Sequence, residues 1–246
     1  MRRSSATAVR PDAVLKVGGS LCARPPALRR LITALRSLAG RRTLVLVPGG
    51  GRFADEVRRA DRRFRLDASS AHWMAILAMD QTAHLLAHLA GNAVLARTPG
   101  ELRPGRLNVL APSVWLRRTD RLPHSWAVTS DSIAAWVARV LRAKRLVLLK
   151  DVDGVFDRHP AASARARLRH RVARHRLGGV VDPYFTRALG PARSCWILNG
   201  SRPERVVALL ETGSAYGTEV TSTPRGWTAP RGRRGAPAPA RRRVRG

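Results

Sequence analysis

Apolar and polar stretches alternate along the chain in a way that predicts strands and helices in turn. Residues 13–17 form a short, β-branched apolar run closed by Gly18-Gly19, the pattern of a buried strand ending in a turn. Leu28, Leu31, Ile32, Leu35 and Leu38 recur at helical spacing with arginines between them, predicting an amphipathic helix over 25–39. A second strand, 43–47, ends in Pro48-Gly49-Gly50-Gly51 and leads into a helix over about 53–64. A long helix follows at 70–90, carrying Trp73, Ile76, Leu77, Leu85, Leu86 and Leu89. Short strands are predicted at 93–96 and 107–110, a helix at 131–141 and a strong strand at 145–149. Beyond Phe156 the pattern loosens through an arginine-rich stretch to about Arg176. A strand at 194–198 and a helix at 203–210 close the series. Strands that run as continuous apolar stretches and alternate with helices belong to parallel sheets covered on both faces. The expected class is α/β, a three-layer αβα sandwich around a mostly parallel central sheet.

Composition changes this picture mainly at the ends. Residues 1–11 are a polar, basic arm. Residues 221–246 hold eight arginines, no acid and many Pro, Gly and Ala. Neither stretch has the apolar area to fold, and both are expected to be disordered. The formal net charge of +30 over 246 residues first suggests a polyanion or membrane-surface partner. Of the 46 basic residues, however, only Lys16, Lys144 and Lys150 are lysine, and alanine, glycine and proline are plentiful. A coding bias of that kind produces the charge with no polyanion involved, leaving non-specific binding by the basic tail as the polyanion expectation. It also makes the lysines informative. Lys16 and Lys150 sit in or at the end of apolar runs beside glycine or aspartate, where an arginine-rich chain has kept an ammonium group. No apolar run approaches the ~18 residues that span a membrane, and no apolar signal region precedes Pro11. Cys22 and Cys195 lie far apart without metal-type spacing and read as reduced thiols. A cytoplasmic protein without a membrane partner or a protein-held metal is expected.

Four segments carry chemistry. In Lys16-Val17-Gly18-Gly19-Ser20, glycines allow backbone N–H groups close to an anion, and the lysine beside them is a mobile point charge for a phosphoryl group. The spacing is neither that of a Walker loop nor that of the dinucleotide fingerprint. Gly49, Gly50 and Gly51 form a second such turn about thirty residues on, suited to close approach of an acceptor. In His124-Ser125-Trp126-Ala127-Val128-Thr129-Ser130-Asp131-Ser132, Thr129, Ser130 or Asp131 can cap the following helix. The functional alternative places Asp131 within reach of Lys16 and the glycine turns, with Ser130 at the substrate and His124 and Trp126 as candidate acceptor contacts. In Leu148-Leu149-Lys150-Asp151-Val152-Asp153-Gly154-Val155-Phe156, a buried strand ends in two acids and a glycine turn. The carboxyl end of such a strand is where open α/β sheets bind ligands. Lys150, Asp151, Asp153, Gly154 and Phe156 are the candidate nucleotide contacts.

In this order the four segments resemble the amino acid kinase family, which includes acetylglutamate, aspartate and uridylate kinases. Ile197-Leu198-Asn199-Gly200, Arg202-Pro203-Glu204-Arg205 and Gly217-Thr218 resemble its closing strand and helix. The resemblance covers about 12–220. It implies an acetylglutamate kinase-like fold, with an acceptor-binding N-terminal lobe to about 140 and a nucleotide-binding C-terminal lobe after it. It further implies ATP with Mg2+, a homo-oligomer, and direct transfer of the γ-phosphoryl group with Lys16 and Asp131 as catalytic residues. The His124–Ser132 segment, Val181-Asp182-Pro183-Tyr184-Phe185 and Asn199-Gly200-Ser201-Arg202-Pro203-Glu204-Arg205 resemble a narrower branch. That branch includes the methanofuran-biosynthesis kinase, whose acceptor is an aminomethylfuran-methyl phosphate. One departure stands out. Many carboxylate kinases of the family carry a second catalytic lysine where this chain reads Gly179-Val180-Val181-Asp182-Pro183-Tyr184. That favours a phosphate acceptor, with Lys150 or an arginine supplying the charge. A UMP or carboxylate kinase, and a non-catalytic nucleic-acid-binding or regulatory protein on this scaffold, are the alternatives.

Overall fold

The computed structural model describes residues 9–158, 161, 163, 165–177, 179–190 and 195–221. In chain order its elements are β1 (Ala13–Val17), α1 (Gly19–Cys22), α2 (Pro25–Leu38), β2 (Leu44–Pro48), α3 (Gly51–Phe64), α4 (Ala68–Ala90), β3 (Val94–Ala96), β4 (Leu107–Leu110) and α5 (Ser113–Thr119). There follow α6 (Ser130–Val140), β5 (Arg145–Lys150), β6 (Val155–Phe156), β7 (Leu168–Arg169), β8 (Arg171–Ala173), α7 (Phe185–Leu189), β9 (Cys195–Asn199), α8 (Pro203–Thr212) and β10 (Thr218–Thr221). Eight strands form one sheet in the order β3-β4-β2-β1-β5-β9-β10-β8. Every pairing in it is parallel except β10 against β9. The strands β6 and β7 pair separately as a short antiparallel ribbon. The predicted sandwich and its mostly parallel sheet are what the structure shows.

Strand parity divides the core. Ala13, Leu15 and Val17 of β1 pack on one face with Leu28, Leu31, Ile32 and Leu35 of α2 and Val206 and Leu209 of α8. Val14 packs on the other with Ile133, Ala134 and Val137 of α6 and Phe185 and Leu189 of α7. Helix α4 serves both, giving Ile76 and Met79 to one core and Ala83, Leu86 and Ala90 to the other. That double duty explains its apolar residues around much of its circumference. Strand β1 is central: β2 pairs on one side of it and β5 on the other. The chain first builds outward through β2, then returns past β1 to β5. Such a switch point leaves a crevice outside the carboxyl ends of the strands.

The differences from expectation lie at element ends and sheet edges. Helix α3 begins at Gly51 rather than near Phe53, and α4 begins at Ala68 rather than 70 because Asp67 caps it, its carboxylate accepting from the Ser70 N–H at 2.9 Å. Helix α5 and the strands β6, β7, β8 and β10 lie in segments without periodicity. Their order comes from tertiary pairing: Ser113 at the start of α5 donates to Asp80, and Val220 pairs with Cys195. Helix α6 starts at Ser130, one residue early. The first eight residues of the basic arm, position 194 of the expected last core strand, and 222–246 of the tail lie outside the described residues. Among the described residues no helix is long and apolar enough to cross a membrane.

Candidate active site

The sheet register brings two of the three lysines together. Lys16 has the parity of Val14 and so faces α6. The β1–β5 register pairs Lys16 with Leu148, which puts Lys150, two residues on, on the same face of the adjacent strand. Asp131, in the first turn of α6, reaches both. Its Oδ1 lies 3.0 Å from Lys16 Nζ, and its Oδ2 accepts from Lys150 Nζ at 2.5 Å. Lys16 and Asp131 are buried, at 6 % and 4 % exposure. Burial pulls the Asp131 carboxyl upward, but the two ammonium groups outweigh it and hold it below the ordinary carboxylate range. Burial, with the Lys16 charge beside it, pushes Lys150 down from the ordinary lysine value, and Asp131 opposes that shift. Two ammonium ions on one carboxylate leave a net positive charge at the mouth of the crevice, the sign that suits a phosphoryl group. Lys150, grouped with the nucleotide contacts on sequence grounds, stands instead with Lys16 and Asp131.

Asp182 fixes this triad from behind. Its Oδ2 accepts from the Thr129 N–H at 3.0 Å, the Thr129 hydroxyl at 2.7 Å and the Ser132 N–H at 3.0 Å. The Ser132 hydroxyl donates to its other oxygen. The cap of α6 is therefore a carboxylate fifty residues away, rather than Thr129, Ser130 or Asp131. An acid at a helix N-terminus also complements the helix dipole.

The two glycine turns touch. A Cβ on Gly19 would lie 2.6 Å from Gly51 Cα, and Gly51 itself holds φ +54. Only backbone without side chains packs this closely. Within the turns the amides differ. Gly18 N–H donates to the Leu149 carbonyl and Gly49 N–H to the Val17 carbonyl, so neither amide points at the crevice. The N–H groups of the first turn of α3 begin at Gly51 and, as in any helix, have no intrahelical partner. Gly19, Ser20, Gly49, Gly50 and Gly51 line a cavity of about 800 Å³ together with Lys16, Ser130, Asp131 and Lys150. Gly18 is not among its lining residues.

This cavity runs into the groove between α3 and α4. Arg52, Arg58, Asp61, His72, His124 and Trp126 line it there. The candidate acceptor contacts His124 and Trp126 are thus at the cavity; Asp61 and His72 belong to none of the four sequence segments. Trp126 Nε1 donates to Asp61 at 2.6 Å, and the Arg58 guanidinium lies 4.8 Å from the Trp126 ring centroid. His124 sits between Asp120 and Ser69, 2.8 Å and 3.0 Å from its ring nitrogens, and stacks on His72 with centroids 4.5 Å apart. Burial, reinforced by His124, pushes the His72 pKa down to about 4, so its ring is neutral at physiological pH.

The remaining candidate nucleotide contacts lie elsewhere. Asp151 is exposed, and Asp153 Oδ1 accepts from Asn199 at 2.9 Å and Arg205 at 2.6 Å. Burial raises the Asp153 carboxyl, but these two partners prevail and lower it. Gly154, at φ +153, lets Thr218 approach, a Cβ there falling 2.4 Å from Thr218 Oγ1. Neither these three nor Phe156 line the cavity. Asp153 stands against Arg205 of α8, Gly154 against Thr218 of β10, and Phe156 pairs with Leu168 of β7. The model of the amino acid kinase family matches residues 13–179. The chain belongs to that family.

As a family member it is a phosphotransferase. It is similar to the (5-(aminomethyl)furan-3-yl)methyl phosphate kinase of Methanocaldococcus jannaschii, with 31 % identity over 208 residues, 80 % of this chain and 92 % of that one. A uridylate kinase of Methanosarcina barkeri is 26 % identical over 178 residues, 68 % of this chain and 72 % of the relative. Among solved structures, uridylate kinase from Archaeoglobus fulgidus superposes with a TM-score of 0.66 at 20 % identity, over 85 % of this chain and all of that one. Isopentenyl phosphate kinase from T. acidophilum gives 0.57 at 20 % identity, over 85 % of this chain and 99 % of that one. These two likenesses concern the fold.

Proposed function

We propose that the protein transfers the γ-phosphoryl group of ATP to a phosphate monoester, and that the acceptor is an aminomethylfuran-methyl phosphate. The observation that carries this reading is the Lys16–Asp131–Lys150 triad at the junction of the two glycine turns. In the proposed reaction an oxygen of the acceptor phosphate attacks the γ phosphorus in line. One P–O bond forms, the bond to the β-phosphate oxygen breaks, and ADP leaves with the electron pair. Lys16 and Lys150 neutralise charge on the transferring group, and Asp131 holds both ammonium groups in place. The first-turn amides of α3 and Arg52 receive the acceptor phosphate.

The triad also bears on acceptor class. A phosphate monoester is largely dianionic at neutral pH and needs no base. Asp131, committed to two lysines, is poorly placed to serve as one, so an alcohol acceptor is disfavoured. Lys150 supplies the second positive charge that the Gly179–Tyr184 segment lacks. Asp153, Gly154 and Phe156, with Arg205, are the candidate nucleotide side. Among the described residues no group of three or more His, Cys, Asp or Glu is placed to hold a metal. Magnesium fits as an ion carried on the phosphates of ATP, keeping most of its waters. Met74, Leu77 and Leu85 lie exposed on α4 and Phe53 on α3, and we take these exposed apolar residues as the contact surface of a homo-oligomer.

The test is ADP release with four acceptors: the aminomethylfuran phosphate, UMP, acetylglutamate and aspartate. The expected result is turnover of the furan phosphate at a kcat/KM at least tenfold above that of any other. Efficient turnover of a free carboxylate alone would overturn the reading.

A further inference from the structure

We propose that the part of the cavity lined by Asp61, His72 and Trp126 is a subsite for a protonated primary amine carried by the acceptor opposite its phosphate. The inference deepens the kinase reading and rests on it.

The cavity has two chemically different ends. The α3–α4 hairpin starts beside the glycine turns, since a Cβ on Gly50 would fall 3.4 Å from Ala78 Cβ. Asp61 lies ten residues along α3 from Gly51, roughly 15 Å of helix axis, and His72 six residues along α4 from Ala78, roughly 9 Å. Both are displaced from the cationic triad toward the tip of the hairpin. The separation is of the order of a small ring compound with substituents at both ends.

The residues at this end have the chemistry of an amine site. Asp61 continues the inner stripe of α3 that begins with the buried Ala54 and Val57, a position where an apolar side chain is expected. Arginines flank it at 58, 59, 62 and 63 in a chain of net charge +30. Yet among the described residues no basic side chain lies within ion-pair distance of Asp61: Arg58 turns to Asp55 at 3.1 Å, and Arg59 to Glu56. Its one hydrogen bond among the described residues comes from Trp126, so the carboxylate keeps accepting capacity toward the cavity. His72 is 7 % exposed, lines the same cavity, and its ring nitrogens have no hydrogen-bond partner among the described residues. These nitrogens are not fully buried and open to the cavity, where a ligand can meet them. A neutral imidazole offers a lone pair to an ammonium N–H, Asp61 offers the countercharge, and the indole of Trp126 and the stacked His72–His124 pair offer faces to an aromatic ring. A nucleobase such as uracil is neutral and would leave the Asp61 charge without a counterion.

The experiment uses the full chain and ATP, with two acceptors that differ only at the amine: the aminomethylfuran-methyl phosphate and its analogue with methyl in place of aminomethyl. UMP is the third acceptor. Wild type, Asp61→Asn and His72→Phe are compared. The first substitution retains a carbonyl for the Trp126 N–H and the second retains the ring stack, so each change removes only the recognising group. Wild type is expected to show a KM for the amine roughly 10- to 100-fold below that for the methyl analogue, the range for a hydrogen bond to a charged group. In Asp61→Asn that ratio should fall to near one. In His72→Phe it should fall severalfold. Equal KM values for the two furans in wild type, or an unchanged ratio in both variants, would overturn the amine subsite while leaving the kinase reading intact. Turnover of UMP without turnover of either furan would overturn the acceptor assignment itself. The wild-type comparison decides the matter even if a variant fails to fold.

Discussion

At the scale of single residues, the proposed chemistry rests on three side chains, and each makes a separate prediction. Lys16→Met and Lys150→Met should each lower kcat on the order of 10²–10³-fold with a much smaller change in KM for ATP, because their charge is needed where negative charge is being transferred. Steady-state kinetics on purified variants checks this, and near-normal kcat in either would remove that lysine from the mechanism. Asp131 sets the pH range. Lys150 is already below its ordinary value through burial and Lys16, so wild-type kcat should decline on the alkaline side before an ordinary lysine would titrate. Asp131→Asn removes the anion that holds the Lys150 proton, and the alkaline limb should move to lower pH. A limb that stays in place would detach Lys150 from the rate. The lowered Asp131 carboxyl works in the opposite sense on stability. Its contribution is present above the unfolded value and is lost as pH falls through the folded one. Lys16 was legible in the sequence because a lysine in an apolar run beside two glycines is rare in an arginine-rich chain. The partnership with Lys150 was legible in principle from parity alone, since both lysines fall on the α6 face of adjacent strands. Asp61 and His72 carried weaker signals, an acid on an apolar helix stripe and a histidine in a long apolar helix.

At the scale of elements, the entry of α6 is held by a residue from another part of the chain. Asp182→Ala should remove four hydrogen bonds at once and cost about 2 kcal/mol or more, above an ordinary cap because the acceptor is charged. Urea denaturation should show the loss as a lower midpoint. Since Asp131 sits in the turn that Asp182 holds, kcat should fall in the same variant. A variant that loses stability but keeps its kcat would separate the cap from the triad. No local pattern could reveal this pairing, because cap and helix are fifty residues apart and meet only through the packing of α7 on α6. The glycine turns show the converse. Their glycines were plain in the sequence, but not that Gly19 and Gly51 pack backbone against backbone. Nor could the sequence show that the Gly18 and Gly49 amides are spent on the strands beside them. The edge strand β8 and its neighbour β10 were unreadable for a related reason: three or four residues of mixed polarity become a strand only when a neighbour supplies the other half of the ladder.

At the scale of the whole molecule, strand order places the triad and both glycine turns at a single switch point between β2, β1 and β5. The long, strongly periodic elements that make this frame were evident in the sequence, which is why its class could be read from pattern alone. The exposed apolar residues on α4 predict self-association. Leu77→Arg with Leu85→Arg should shift the sedimentation coefficient to that of a monomer, and a wild-type chain that already sediments as a monomer would rule the surface out. The basic tail makes a different prediction. A chain ending at Thr221 should keep its fold and its kcat while losing most of its salt-sensitive binding to DNA or RNA. Loss of kinase activity on truncation would give the tail a part in the site. The α3–α4 hairpin, finally, runs without interruption from Gly51 to Ala90 and brings Arg52, Asp61 and His72 to the cavity, whereas Lys16 and Lys150 come from the sheet. Most of the proposed acceptor side thus lies on one stretch of chain, apart from the sheet lysines, and Trp126 joins it from the segment before α6. A hairpin of that kind, exchanged together with the segment that carries Trp126, can bring a new acceptor to an unaltered catalytic frame.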